Sequence, residues 1–306
     1  MRKPIVVLGP QRPTPNLGRA LDRLGARGPV ALITAGWRHD EEDISPLVRD
    51  VARPTRHLPL YAWFEEVTHR HPDESARYRQ RTRRVRAWKR GYRIRLHAAM
   101  AALVELDELA LADPELYQSS LQAALAQIIA LDAEVPATLL SLRATEPPWT
   151  RAPILGYRER VAEAFRTCDT VALAGGQVAT LLNRLRFFGV GPLLREFWER
   201  GGNLVAWSAG AMVLTERVML FYDHPPDGPG HPEVLDAGLG LIRDLTLFPA
   251  AAQRLDLDDA RRRWRLLARL QGGRALGLAN GDALQVDGAL ELLEGAVLDL
   301  AEGATQ

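Results

Sequence analysis

Asn203-Leu204-Val205-Ala206-Trp207-Ser208-Ala209-Gly210-Ala211 carries an apolar run into a serine and then into small residues that open a helical pattern. A short run of this kind, apolar at successive positions, suits a strand buried on both faces, as in a parallel sheet covered by helices. A serine on the tight turn from strand to helix forms a nucleophile elbow when small neighbours let the backbone bend and leave Oγ exposed. The helix N-terminus then favours negative charge developing there. Ala206 stands where the generic elbow has glycine. A strand followed by an ordinary serine N-cap has the same order. The elbow reading predicts a positive φ at Ser208.

Working outward, Thr170-Val171-Ala172-Leu173-Ala174-Gly175-Gly176-Gln177 reads as a second strand that ends in paired glycines before a helix. Such a turn frees backbone N–H groups to face a ligand. An oxyanion hole needs two donors, and the N–H groups of Ala209 and of Gly175 or Gly176 would supply them. A tight turn explains the glycines equally well. Further strands are expected at Ile5 to Leu8, Val30 to Thr34, Val218 to Tyr222, Leu245 to Phe248, Ala275 to Leu278, Ala283 to Val286 and Leu290 to Leu293. Helical patterns at Asn16 to Leu24, Ile154 to Arg166, Val178 to Phe187 and Pro192 to Arg200 separate several of them, which predicts a mainly parallel sheet with both faces covered. Asp287-Gly288 marks a hairpin and so an antiparallel edge.

Residues 62–148 read as helix without strand, an insertion within a single domain spanning 1–306. Tyr78, Val85, Trp88, Tyr92, Leu96, Ala99, Leu103 and Leu106 recur at helical spacing. Asp113-Pro114 starts a further helix expected to run to about Leu131. Because the chain leaves the Val30 strand at its carboxyl end, where ligands bind in open α/β sheets, the insertion is expected to border or roof the Ser208 pocket.

Composition narrows the classes. With 306 residues, 47% hydrophobic and 25% charged, the chain is long enough for a full core and excludes a disordered or fibrous class. Thirty-nine basic against 38 acidic residues leave a net charge of +1, so the molecule as a whole is no polycation. A single cysteine, Cys168, excludes an intrachain disulfide and fits a reducing, cytoplasmic setting. No membrane span and no cofactor are expected. His69-x-His71 is the nearest approach to a metal pattern, and its reading is a polar loop before Pro72.

The motifs Gly175-Gly176-Gln177, Leu181-Leu182, Gly189, Gly201-Gly202, Trp207-Ser208-Ala209-Gly210-Ala211 and Gly238-Leu239-Gly240-Leu241 together resemble the dipeptidase E and cyanophycinase family of serine peptidases. Gly277-Leu278-Ala279-Asn280-Gly281-Asp282 and Val286-Asp287-Gly288 resemble its closing hairpin region. The resemblance implies a three-layer α/β sandwich of the class I glutamine amidotransferase-like type. It also implies a nucleophile at Ser208, an oxyanion hole from Ala209, Gly175 and Gly176, and as substrate a small peptide or acidic small molecule. The family's general-base histidine follows the Gly-Leu-Gly-Leu stretch at the end of the next strand. Here that place reads Leu247-Phe248-Pro249-Ala250-Ala251-Ala252, and no histidine follows His231 in the sequence. Asn280 occupies the position where some members carry a glutamate.

Triad members act as a unit, so a serine without its base forfeits most of its rate. The chain therefore reads as a divergent peptidase-like hydrolase that could be a pseudoenzyme. The alternative is a non-catalytic binding or scaffold protein for a small acidic ligand or peptide. His224 and His231, in a loop beside Asp223, are the candidate substitute bases.

Arg77 to Arg95 holds nine arginines and Lys89 without an acid. Stacking of bases on Tyr78, Trp88 and Tyr92 would suit nucleic acid. The expected reading is instead ion pairing within the chain or across a homodimer, with Asp40, Glu41, Glu42, Asp43, Glu105, Asp107 and Glu108 as the offsetting acids.

Overall fold

The computed structural model describes residues 2–110, 112–143, 147–222 and 230–302. Along the chain, β1 (Ile5–Leu8), α1 (Leu17–Arg23) and β2 (Val30–Ile33) are followed by a 3₁₀ segment, Ala35–Glu42, then α2 (Ser45–Val51) and β3 (Thr55–Leu58). Three helices come next without an intervening strand: α3 (Leu60–Arg70), α4 (Pro72–Leu106) and α5 (Pro114–Arg143). The α/β alternation resumes with α6 (Ala152–Thr167), β4 (Thr170–Leu173), α7 (Val178–Phe187), α8 (Val190–Glu199), β5 (Asn203–Trp207) and α9 (Ala209–Leu214). The remainder comprises β6 (Arg217–Leu220), β7 (Glu233–Ala237), β8 (Leu245–Pro249), α10 (Ala251–Arg254), α11 (Ala260–Ala268), β9 (Arg274–Leu278), β10 (Ala283–Asp287), β11 (Ala289–Glu294) and β12 (Leu298–Asp299).

The main sheet has the order β11-β10-β1-β5-β4-β2-β3. Its five strands from β1 to β3 are parallel, and β10 and β11 close one edge in antiparallel pairing across Gly288. All residues of β1, β2, β4 and β5 are buried. Successive residues divide between two apolar layers, as the pleat requires. Ile5, Val7, Leu204 and Ala206 join the larger core with α6 to α9, whereas Val6, Leu8, Val205 and Trp207 join the smaller core with α1 and α2. The architecture is thus a three-layer α/β sandwich with a mainly parallel sheet and a helical insertion.

Three features depart from the sequence reading. Thr55-Arg56-His57-Leu58 forms an edge strand, β3, although only Leu58 among its residues is fully buried. Glu233–Ala237 pairs with β6 as a separate ribbon, and β8, β9 and β12 form a sheet of their own. The helix that begins at Pro114 runs past Leu131 and past Pro136 to Arg143. A proline forfeits one helical hydrogen bond, and the packing of α5 along α4 carries the helix through it.

By length and composition alone α5 could cross a bilayer. Its centre argues for a protein core instead, because Asp132 is buried there against Arg269, with Arg269 Nε to Asp132 Oδ2 at 2.9 Å. Tyr92 of α4 donates its hydroxyl to Asp132 Oδ1 at 2.8 Å and accepts from Val234 N–H at 3.1 Å. The network joins α4, α5, β7 and the end of α11. Burial first, and then the Asp132 charge, push the Tyr92 hydroxyl far above its usual range and keep it protonated.

Tyr92 of α4 is buried, and Tyr78 and Trp88 are half-buried against the same core. Arg93 pairs with Glu233 through two contacts of 2.7 Å, and Arg95 pairs with Glu134 at 2.8 Å. These acids are not the ones expected from sequence. Asp107 serves Arg261 and Arg265 of α11 instead.

Candidate active site

Ser208 follows the last residue of β5, the strand between β1 and β4, so its backbone emerges at the carboxyl end of the parallel sheet. Its φ and ψ are 51° and −122°, the positive φ expected for a tight strand-to-helix turn. Ser208 N–H donates to Leu8 O at 3.0 Å, and its carbonyl accepts from Met212 N–H at 3.1 Å, so the turn is tied to β1 on one side and to α9 on the other.

The Gly175-Gly176 turn lies against this serine. A Cβ on Gly175 would meet Ser208 Cβ at 2.9 Å. Gly176 has φ 109°, and a Cβ there would meet Gly36 O at 2.4 Å, a backbone oxygen that also accepts from Gln177 N–H at 2.7 Å. Neither glycine can be replaced without moving backbone. Among the described residues no acceptor faces the N–H groups of Gly175, Gly176 or Ala209. That of Ala209 is one of the orphan donors at the start of α9. The structure thus brings Ser208, Ala209, Gly175 and Gly176 together.

Ser208 opens onto a cleft of about 370 Å³, walled by Gln11 and Arg12 after β1, Trp37 after β2, and Leu47 and Asp50 of α2. The sequence reading missed these residues. The signal available was position, since Pro10-Gln11-Arg12 and Trp37 follow the carboxyl ends of two expected strands. Arg12 pairs with Asp50 at 3.0 Å and remains largely exposed. Gln11 is buried and holds the loop, accepting from the N–H groups of Asn16 and Leu17 at 3.0 and 2.9 Å. Asn280 holds it from the other side, donating to Pro10 O at 2.6 Å and to Thr14 O at 2.9 Å.

No histidine lines this cleft among the described residues. His231 lies elsewhere, its ring 5.7 Å from that of His97 in a cavity that shares no lining residue with the Ser208 cleft. Its burial beside Arg269 and His97 pulls its pKa below the usual value. His224 and Asp223 lie outside the described residues. Ala250 closes β8 with φ 58°, a left-handed turn that presents a methyl group where the resemblance places the base. No described residue of 62–148 lines the cleft, so the expected border or roof is not found among the described residues. The physical reason is β3. After leaving β2 the chain returns to build this extra edge strand, and the helices depart from there, three strands or roughly 14 Å from β5.

Away from the cleft, Thr34 Oγ1 lies 3.2 Å from Glu41 Oε2 and 2.8 Å from His57 Nε2. Glu41 Oε1 also accepts from Ala62 N–H at 2.6 Å. Burial raises the Glu41 carboxyl to about 6 and lowers His57. Among the described residues no group of three or more His, Cys, Asp or Glu side chains is arranged to hold a metal ion.

No curated protein matches the chain in sequence. Among solved structures it is similar to a peptidase from an acI-B1 actinobacterium, with a TM-score of 0.53 and 14% identity over 98% of this chain and 91% of that one. A putative peptidase E protein from Listeria monocytogenes EGD-e is 12% identical over 97% of this chain and 100% of that one, with a TM-score of 0.48. The first of these supports the fold and says nothing of the reaction. The profile of peptidase family S51 matches residues 156–291, a stretch that runs from α6 to β11 and includes Ser208, Gly175 and Gly176. Over that region the chain carries the peptidase S51 pattern, and it resembles the dipeptidase E and cyanophycinase family of peptidase-like hydrolases.

Proposed function

We propose that the Ser208 cleft binds small acidic peptides in the manner of a serine peptidase and that turnover there is suppressed for want of a general base. Ser208 supplies the nucleophile elbow, and Ala209 with Gly175 or Gly176 supplies the oxyanion donors. Both depend on backbone geometry, which the chain retains. The observation that carries the reading is Ala250. The residue after β8 stands in a left-handed turn, and its methyl group cannot accept a proton. With no imidazole in the cleft among the described residues, nothing there takes the Ser208 Oγ proton as the oxygen attacks, and loss of such a base costs on the order of a millionfold in rate in a serine protease.

The acidic preference rests on Arg12. Among the described residues it is the one cation of the cleft wall, and its ion pair with Asp50 is exposed enough to exchange for a ligand carboxylate. Calorimetric titration with an aspartyl dipeptide, followed by assay for free aspartate, tests the proposal. Saturable binding that weakens in Arg12→Met, with no aspartate released over hours, is the expected result. Release at a peptidase rate, or no binding, contradicts it.

A further inference from the structure

A larger cavity, about 730 Å³, lies where α4 and α5 meet α7 and β7, and it shares no lining residue with the Ser208 cleft. Its volume is that of a small-molecule site. Part of its wall is apolar, with Val85, Leu140, Trp149, Leu182, Phe187 and Leu235. The rest is cationic: among the described residues Arg81, Lys89, Arg143 and Arg186 line it with a single carboxylate, that of Asp236.

Asp236 is already shared. Arg143 and Arg186 each reach its Oδ2 at 2.5 Å. Lys89, one of only two lysines in the chain, is 9% exposed, and its Nζ has no hydrogen-bond partner among the described residues. Burial is the first cause that pulls its pKa down to about 8. Arg93 of α4 and Arg143 of α5 add to that shift, and Glu233 and Asp236 of β7 oppose it. A buried ammonium with no acceptor is costly, and cores avoid it unless something completes the site.

We propose that this cavity binds a small amphipathic organic anion, its charged end on Lys89 and Arg81 and its apolar body between Leu140 and Trp149. A carboxylate and a phosphate monoester share this chemistry: acceptor oxygens for an ammonium and a guanidinium, joined to a hydrocarbon part. The proposal does not depend on the reading of Ser208.

Isothermal titration of the full chain with octanoate and with octyl phosphate tests it, with octyltrimethylammonium and 1-octanol as cationic and neutral probes of the same length. One-to-one binding of at least one anion, at least tenfold tighter than either control, is expected, and the tighter of the two identifies the headgroup. Lys89→Met and Arg81→Met should each weaken that binding tenfold or more, whereas Ser208→Ala leaves it unchanged. Lys89→Met also removes an unpartnered buried charge, so its melting temperature should hold or rise. Ala137→Trp, which fills the cavity and keeps every cation, should abolish binding as well. Failure of both anions to saturate, equal binding of the neutral alcohol, or wild-type affinity in Lys89→Met would overturn the proposal.

Discussion

Gly175 lies so close to Ser208 that a β-carbon on it would stand 2.9 Å from Ser208 Cβ and 3.4 Å from Oγ. The glycine turn after β4 and the serine turn after β5 therefore form one packed unit. Trp207 O lies 3.3 Å from the same hypothetical atom, so an added methyl is crowded by backbone as well. Gly175→Ala should destabilise the chain by about 1–3 kcal/mol, the usual cost of overpacking. Gly156, in α6 with nothing within 4 Å of its hypothetical Cβ, is the control. Gly156→Ala should stabilise by about 0.5–1 kcal/mol through helix propensity. Urea unfolding of the two variants measures both signs.

Strain at Ser208 gives a second outcome. Its positive φ is unfavourable for any residue with a Cβ and costs about 1–3 kcal/mol. Ser208→Ala keeps the Cβ and the strain, whereas Ser208→Gly relieves it and adds only unfolded-state entropy. The glycine variant should therefore be more stable than the alanine variant by about 1 kcal/mol, read from urea midpoints at equal slopes.

The buried Arg269–Asp132 pair should show the asymmetry of buried charges. Asp132→Ala leaves the guanidinium of Arg269 in the core with one neutral acceptor, Pro232 O, and should cost about 3–5 kcal/mol. Adding Arg269→Met removes the stranded charge and should recover part of that loss. A double-mutant cycle in urea reads the coupling.

Glu41 fixes the sign of one pH effect. Its folded value of about 6 lies above its unfolded value, so the native state binds more protons between the two. Stability from this group is thus full below the unfolded value of about 4.5 and is lost as pH rises through 6. His57, lowered by burial, acts oppositely: its contribution grows as pH rises toward its unfolded value of 6.5. Glu41→Gln should therefore flatten the fall in stability between about pH 4.5 and 6, by on the order of 1–2 kcal/mol. Urea midpoints across that range, in wild type and variant, measure it.

What the sequence disclosed follows from which residues carry their own pattern. Val6-Val7-Leu8 and Leu204-Val205-Ala206-Trp207 are apolar on both faces because helices cover both, and their strands were legible for that reason. Thr55-Arg56-His57-Leu58 sits at a sheet edge with one neighbour, so it had no need of an apolar run. The insertion departs from this edge, and none of its described residues lines the cleft. The close approach of Ser208, Gly175 and Gly176 was legible because turn geometry belongs to the backbone, which small residues reveal. Gln11, Arg12 and Asp50 reach the cleft through side chains on loops and on α2, where only the three-dimensional path brings them near Ser208. His231 was drawn to the site by proximity in sequence, yet the residues after it pair with β6, and it stands beside His97 instead.

If, as proposed, Ser208 is held as a nucleophile with no base beside it among the described residues, the rate at which a fluorophosphonate probe labels it at neutral pH should be low. On this proposal, little or no labelling of the wild-type chain over hours, and a gain of at least tenfold in Ala250→His, are expected by intact-mass spectrometry. Rapid stoichiometric labelling of the wild type, abolished in Ser208→Ala, would contradict it, and further loss in His224→Ala would name the base.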